Sequence, residues 1–257
     1  MKIFCIGDIM GRHGRDMLRG YLDDLVYSKK IDLVAANGEN AAHGRGMTAP
    51  VYEELCEIGV DVFTMGNHTW NCRDIIKLLE TESNIARPAN YEGGCPGKGC
   101  VTVKARNGAY VSFISIIGRT YMDPCASPFE AAVREVKKCR SDFILVDFHA
   151  EATSEKIAMG RYLDGRVSAV YGTHTHVQTA DEVILPKGTG YITDLGMTGS
   201  SNSVLGMDVS LVINRFLNGM PRKYELGAGK NVLCGCIFEI DDNTAKTIGV
   251  ERVNIKE

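Results

Sequence analysis

Residues 33–40 read Leu-Val-Ala-Ala-Asn-Gly-Glu-Asn, and residues 143–149 read Phe-Ile-Leu-Val-Asp-Phe-His. Each is a short apolar run that ends in residues able to bind a cation. A run of this length reads as a strand buried on both faces. The pattern repeats outward from these two segments. Residues 2–6 end in Gly7-Asp8, and residues 62–65 end in Gly66-Asn67-His68. Residues 111–117 end in Gly118-Arg119, and residues 169–171 end in Gly172-Thr173-His174. Helical periodicity lies between several of the runs, over residues 15–27, 51–58, 74–80 and 128–138, with Pro128 suited to a first helical turn. Strand–helix alternation of this kind predicts an α/β architecture. The C-terminal part differs. Residues 232–240, the turn Asp241-Asp242-Asn243 and residues 246–255 read as a hairpin. A mixed sheet, or two sheets packed together, is therefore expected rather than a purely parallel one. No repeat or linker divides the chain, so residues 1–257 are read as a single domain, with 93–99 as a surface loop.

Composition narrows the function classes. A net charge of -3 argues against a broad nucleic-acid footprint, which needs a basic surface. A small phosphorylated substrate stays open, because a metal site brings its own positive charge. No apolar run has the length of a membrane span, and the apolar start breaks at Gly7-Asp8, too soon for a signal peptide. The nine cysteines are odd in number and contain no CxxC pair. They read as free thiols in a reducing cytoplasm.

The strand ends carry the chemistry. Asp8, Glu39, Asn40, Asn67, His149, His174 and His176 all lie just past apolar runs. In open α/β sheets that edge forms the ligand crevice. Carboxylate, amide oxygen and imidazole suit iron, manganese or zinc. No cysteine stands in these turns, which argues against a structural thiolate zinc site. Seven candidate ligands exceed one tetrahedral ion and suit two ions sharing a carboxylate, with Glu39 the natural bridge. Two ions can clamp a phosphate and generate hydroxide at neutral pH. In an extended segment His174 and His176 would point the same way, whereas in a loop they could diverge to different ions. The alternation alone leaves both open.

The segments Ile6-Gly7-Asp8, Asn37-Gly38-Glu39-Asn40, Gly66-Asn67-His68-Thr69-Trp70, Arg87-Pro88-Ala89-Asn90, Asp147-Phe148-His149 and Gly172-Thr173-His174-Thr175-His176 occur in that order. Together they resemble the calcineurin-like metallophosphoesterases, and more closely the YmdB-like family of bacterial phosphodiesterases, over essentially the whole chain. Two departures from the wider superfamily narrow the resemblance. Met10 stands where a histidine is usual, and Glu39 replaces the usual bridging aspartate. The resemblance implies a four-layer αββα sandwich of two mixed β-sheets flanked by helices, and two divalent or mixed-valence ions, with iron or manganese favoured. It divides the ligands as Asp8, Glu39, Asn40 and His176 around one ion, and Glu39, Asn67, His149 and His174 around the other. It also implies attack on phosphorus by a metal-bridging hydroxide, with His68 as proton donor, on 2′,3′-cyclic AMP or a similar small cyclic nucleotide, by a homo-oligomer.

Each residue also has a blander reading. Asp8 could cap a helix, Asn67 could form a left-handed turn and His149 could be a satisfied core histidine. All of these holding together at strand ends is improbable. His13 and His43 read as loop residues near the ligands, His13 on the substrate side or surface. Arg119 reads as a phosphate partner or a salt-bridge residue, and Trp70 as packing under the site. A phosphomonoesterase or nuclease with the same metals is the rival enzyme reading. A regulatory binding protein with a slow metal site is the rival of another class.

Overall fold

The computed structural model describes every residue except Glu92, Arg222 and Tyr224. Its elements run β1 (Lys2–Ile6), β2 (Asp8–Ile9), α1 (Gly11–Lys29), β3 (Leu33–Asn37), α2 (Ala49–Ile58), β4 (Val62–Thr64), α3 (Asp74–Thr81) and β5 (Ile85–Ala86). They continue through β6 (Cys100–Lys104), β7 (Tyr110–Ile117), α4 (Pro128–Val136), β8 (Phe143–His149), α5 (Thr153–Leu163), β9 (Ala169–Thr173), β10 (Val183–Ile184) and β11 (Gly190–Ile192). The last are β12 (Met197–Ser200), α6 (Val209–Asn218), β13 (Asn231–Ile240) and β14 (Thr247–Lys256).

The strands form two mixed sheets. The eight-stranded sheet runs β2-β12-β13-β1-β3-β4-β5, with β14 also paired to β13. The six-stranded sheet runs β10-β11-β9-β8-β7-β6. Within each, the central strands are parallel: β1, β3, β4 and β5 in the first, and β7, β8, β9 and β11 in the second. Parallel pairing puts their carboxyl ends on one edge of the molecule.

Alternation along the strands explains the layers. In β1, Phe4 and Ile6 join the cluster under α1, α2 and α3, with Leu18, Leu22, Leu55 and Leu78. Ile3 and Cys5 point the other way and meet Phe113, Leu145 and Tyr171 of the second sheet. On that sheet's far side, Ile114, Val146 and Phe148 pack against Ala132, Met159 and Leu163 of α4 and α5. Three apolar seams thus separate four layers, α, β, β and α, as expected.

The predicted hairpin is β13–β14, antiparallel from Val232↔Lys256 to Ile240↔Thr247, with a register shift at Glu239/Ile240. Helix α1 begins at Gly11, four residues before the predicted start at residue 15. Two glycines hid that first turn. Gly14 is there because a Cβ would lie 2.3 Å from the carbonyl oxygen of Thr198 on β12. His13 therefore sits in a helix, which corrects its placement in a loop. Helices α5 and α6 escaped the periodicity reading. In α5 the buried set includes Lys156 and Gly160, which break the apolar stripe. α6 is capped by Asp208, which accepts from Leu211 N–H, and buries none of its residues. Among the described residues no helix is long and apolar enough to cross a membrane.

Candidate metal centre

The site forms where the carboxyl edges of the two sheets meet. From the first sheet come Asp8 in β2, Glu39 and Asn40 just after β3, and Asn67 and His68 just after β4. From the second come His149 at the end of β8, and His174 and His176 past β9. Asp8, Glu39, Asn40 and His149 are fully sealed from solvent. Gly66 keeps the centre open, since a Cβ there would stand 2.4 Å from both Glu39 Oε2 and His149 Nε2.

All seven predicted ligands converge, in two groups. In one, His149 Nε2 lies 3.0 Å from Glu39 Oε1, 2.9 Å from Asn67 Oδ1 and 3.0 Å from His174 Nδ1. Glu39, His149 and His174 each offer a ligand atom within 4.8 Å of the others. In the second group, the Asn40 amide lies 3.2 Å from His176 Nε2, 3.4 Å from Asp8 Oδ1 and 3.5 Å from Glu39 Oε1. Glu39 belongs to both. His174 and His176 do diverge, one into each group. Both have positive φ, 97° and 63°, so the chain leaves the extended form that would have aligned them.

The proton inventory around His149 tests whether these residues fit a cation. Thr173 Oγ1 donates to Asp147 Oδ1 at 2.6 Å, so it accepts from His149 Nδ1–H at 2.9 Å. That hydrogen bond leaves Nε2 as the lone-pair nitrogen of the neutral ring. Nε2 then faces a carboxylate oxygen, an amide oxygen and another imidazole nitrogen. These atoms together make a set of donors that one cation can take at once. The chemistry of the donor set therefore fits a metal ion, with Thr173 and Asp147 orienting the ring as outer-shell partners do.

Electrostatics point the same way. Burial alone would lower the His149 imidazole, but Glu39 and Asp8 overcome it and push it up to about 9. Burial would raise Glu39, yet His149 and His68 hold it down to about 2. Burial raises Asp8 to about 6 against the pull of His176 and His149. Burial and the neighbouring His149 press His174 down to about 3. Without a metal, a proton on His149 is the positive charge that the carboxylates find.

His68 stands beside these groups. Its N–H donates to Glu39 Oε2 at 2.8 Å, and its Nδ1 lies 3.2 Å from Asn71 Oδ1. Burial lowers its pKa, with Glu39 pulling the other way. The free site thus favours the neutral ring over the imidazolium. His68, Arg45, Glu151, His174 and His176 line a cavity of about 220 Å³ over the site.

Other expectations sort out as follows. His43 is exposed, has φ 54°, and lies outside the lining of that cavity. The Arg119 side chain is exposed, and its backbone N–H donates to Glu155. Trp70 packs against Tyr91, ring centroids 5.8 Å apart. Met10, in place of the superfamily's histidine, is buried and fills space a Cβ on Gly199 or Gly206 would enter. Sequence reasoning gave no role to the supporting polar groups. Asp147 accepts from Thr173, Thr64 and Asn37 behind His149. Lys156 and Asp194 form a buried ion pair at 2.6 Å, and Asp194 accepts from the backbone and hydroxyl of Thr175 between the two histidines. The spacing Asp147-x-His149 on one strand face was the available signal for the first.

The match to known proteins covers the whole arrangement. A family model described as YmdB-like protein fits residues 4–253. The chain belongs to the YmdB-like family. The 2′,3′-cyclic-nucleotide 2′-phosphodiesterase of Bacillus subtilis (strain 168), a relative of this chain, is 48% identical over 260 residues, covering 100% of this chain and 98% of that protein. Two solved structures superimpose with a TM-score of 0.94. One is a protein of Thermus thermophilus, 41% identical, with both chains covered in full. The other is described as a phosphatase of Mycoplasma pneumoniae, 35% identical, covering 100% of this chain and 93% of that one. The scaffold that carries both groups of candidate donors is therefore shared from end to end with these relatives.

Proposed function

We propose that the protein is a dinuclear metal-dependent phosphodiesterase of small cyclic nucleotides such as 2′,3′-cyclic AMP. The observation that carries this reading is His149 Nε2 within 3.0 Å of Glu39 Oε1, Asn67 Oδ1 and His174 Nδ1, beside a second donor group sharing Glu39. Asp8, Glu39, Asn40 and His176 would hold one ion, and Glu39, Asn67, His149 and His174 the other. Iron, manganese or zinc suits these donors. When bound, such ions neutralise phosphoryl oxygens and make water acidic enough to attack. The name of the 48% identical relative supports the substrate class.

The chain's own groups bind and move protons. Arg45 lines the cavity and meets an anionic substrate. Glu39 fixes the His68 backbone, and Asn71 fixes its ring through Nδ1. His68 gives a proton to the leaving alkoxide. Its lowered pKa makes the imidazolium a stronger acid, formed when the phosphate's charge enters the cavity. Within this reading residues 1–257 work as one domain, in the cytoplasm, as a homo-oligomer.

Hydrolysis of 2′,3′-cyclic AMP, an acyclic diester and a phosphomonoester by the metal-loaded protein tests the reading. The cyclic diester is expected to give the highest kcat/KM. A preference for the monoester, which the description of the Mycoplasma pneumoniae structure favours, would overturn it.

A further inference from the structure

A large cavity lies away from the metal centre. It occupies about 760 Å³ along the side of the sandwich, between the loop after β5, the start of β6 and the end of α4. Its cationic wall is Arg87, Lys98, Arg134, Lys138 and Arg140. Among the described residues Glu135 is the one carboxylate in that lining, and it is bound to Arg134 and Lys138. Arg87 spends its guanidinium on the carbonyls of Pro96, Pro88 and Cys95, which leave its charge in place. A chain with a net charge of -3 thus gathers five cationic side chains around this cavity.

Two thiols lie in the same wall. Cys100 opens β6, Cys139 follows α4, and their sulfurs are 3.4 Å apart. Both are half-buried and both line the cavity, so a small molecule reaches them. Reactive cysteines sit in electropositive, partly exposed surroundings, and redox-active ones stand beside a resolving partner. This pair has both features.

We propose that Cys100 and Cys139 are a reactive dithiol, oxidised to a disulfide by a small anionic disulfide that the cationic wall draws in. The Cys139 thiolate attacks one sulfur of the ligand, whose S–S bond breaks and releases a first thiolate. Cys100 then loses its proton and attacks the Cys139 sulfur, releasing the second thiolate. The protein dithiol is oxidised, the ligand is reduced to two thiols, and no other reactant is needed. The two sulfurs face each other at 3.4 Å, so the one that attacks the ligand is within reach of the one that resolves it.

The test uses metal-loaded protein and 5,5′-dithiobis(2-nitrobenzoate), a disulfide with a carboxylate on each half, at about one equivalent. The expected result is about two equivalents of released thionitrobenzoate, no retained adduct, and a peptide cross-link joining Cys100 to Cys139. Cys100→Ser should instead keep a mixed disulfide on Cys139. The double variant Lys98→Glu, Arg140→Glu should slow this reagent about tenfold, and the neutral 4,4′-dithiodipyridine hardly at all. A persistent adduct on the unaltered protein, a first cross-link at other cysteines, or equal slowing of both reagents would overturn the proposal.

Discussion

His149 Nε2 lies 3.0 Å from Glu39 Oε1, and both side chains are sealed from solvent. One comes from the six-stranded sheet and the other follows a strand of the eight-stranded sheet, so the contact closes the seam between them. A charge pair so buried is held in place by the scaffold and is available to a metal ion in place of the shared proton.

Metal uptake should therefore release protons. In the metal-free protein His149 is held up at about 9, so it carries a proton at neutral pH. The raised value favours the metal-free fold fully below the ordinary histidine range, and that contribution fades as pH climbs through 9. Metal affinity runs the opposite way, rising with pH until His149 is deprotonated. Calorimetric titrations in buffers of different ionisation enthalpy near pH 7 should count about one proton released from this group as the site that contains His149 fills. Affinity independent of pH between 6 and 9 would contradict it.

Asp147 never touches the ligand groups' open side, yet it should matter. It accepts from Thr173, which fixes the His149 ring. Asp147→Asn should cut metal affinity by about 10- to 100-fold while leaving the secondary structure intact. Competition with a chelator measures this. Unchanged affinity would mean that the ring needs no such support.

His68→Ala should separate chemistry from metal binding. We expect about a 10²- to 10⁴-fold loss of kcat on 2′,3′-cyclic AMP, with metal content unchanged. A nitrophenyl diester, whose leaving group departs without a proton, should lose far less. Equal losses on both substrates, or loss of metal, would assign His68 another role.

Lys156→Met should destabilise the protein by about 3–5 kcal/mol, because it leaves Asp194 buried without its partner. Denaturant unfolding measures it. Lys156→Met with Asp194→Asn should recover part of the loss in stability. Activity should stay low, since Asp194 also positions Thr175 between His174 and His176.

The fold, and the convergence of the residues of the candidate site, were legible in the sequence for one physical reason. Parallel strands buried on both faces are written as unbroken apolar runs, and their polar ends mark the binding edge. Asp8, Glu39, Asn67 and His149 stood out on that basis alone. What stayed hidden had weaker local signals. Gly11 and Gly14 concealed the first turn of α1, because close packing of Gly11 on Leu226 and of Gly14 on Thr198 overrode helix propensity. Nothing local to Lys156 marks it as buried, since only tertiary contact with Asp194 seals it. Cys100 and Cys139 are separated by 39 positions, so only the folded chain shows their contact. The divergence of His174 and His176 depends on two positive φ angles that no periodicity encodes.

The claim beneath all of this is that Glu39 is shared by two ions. Elemental analysis of the purified protein and of Glu39→Gln, each with its metal-to-chain ratio, tests it most directly. The account predicts a ratio near two for the unaltered chain and loss of both ions in the folded variant. A fully active metal-free protein, or a Glu39→Gln variant that keeps both ions, would contradict it.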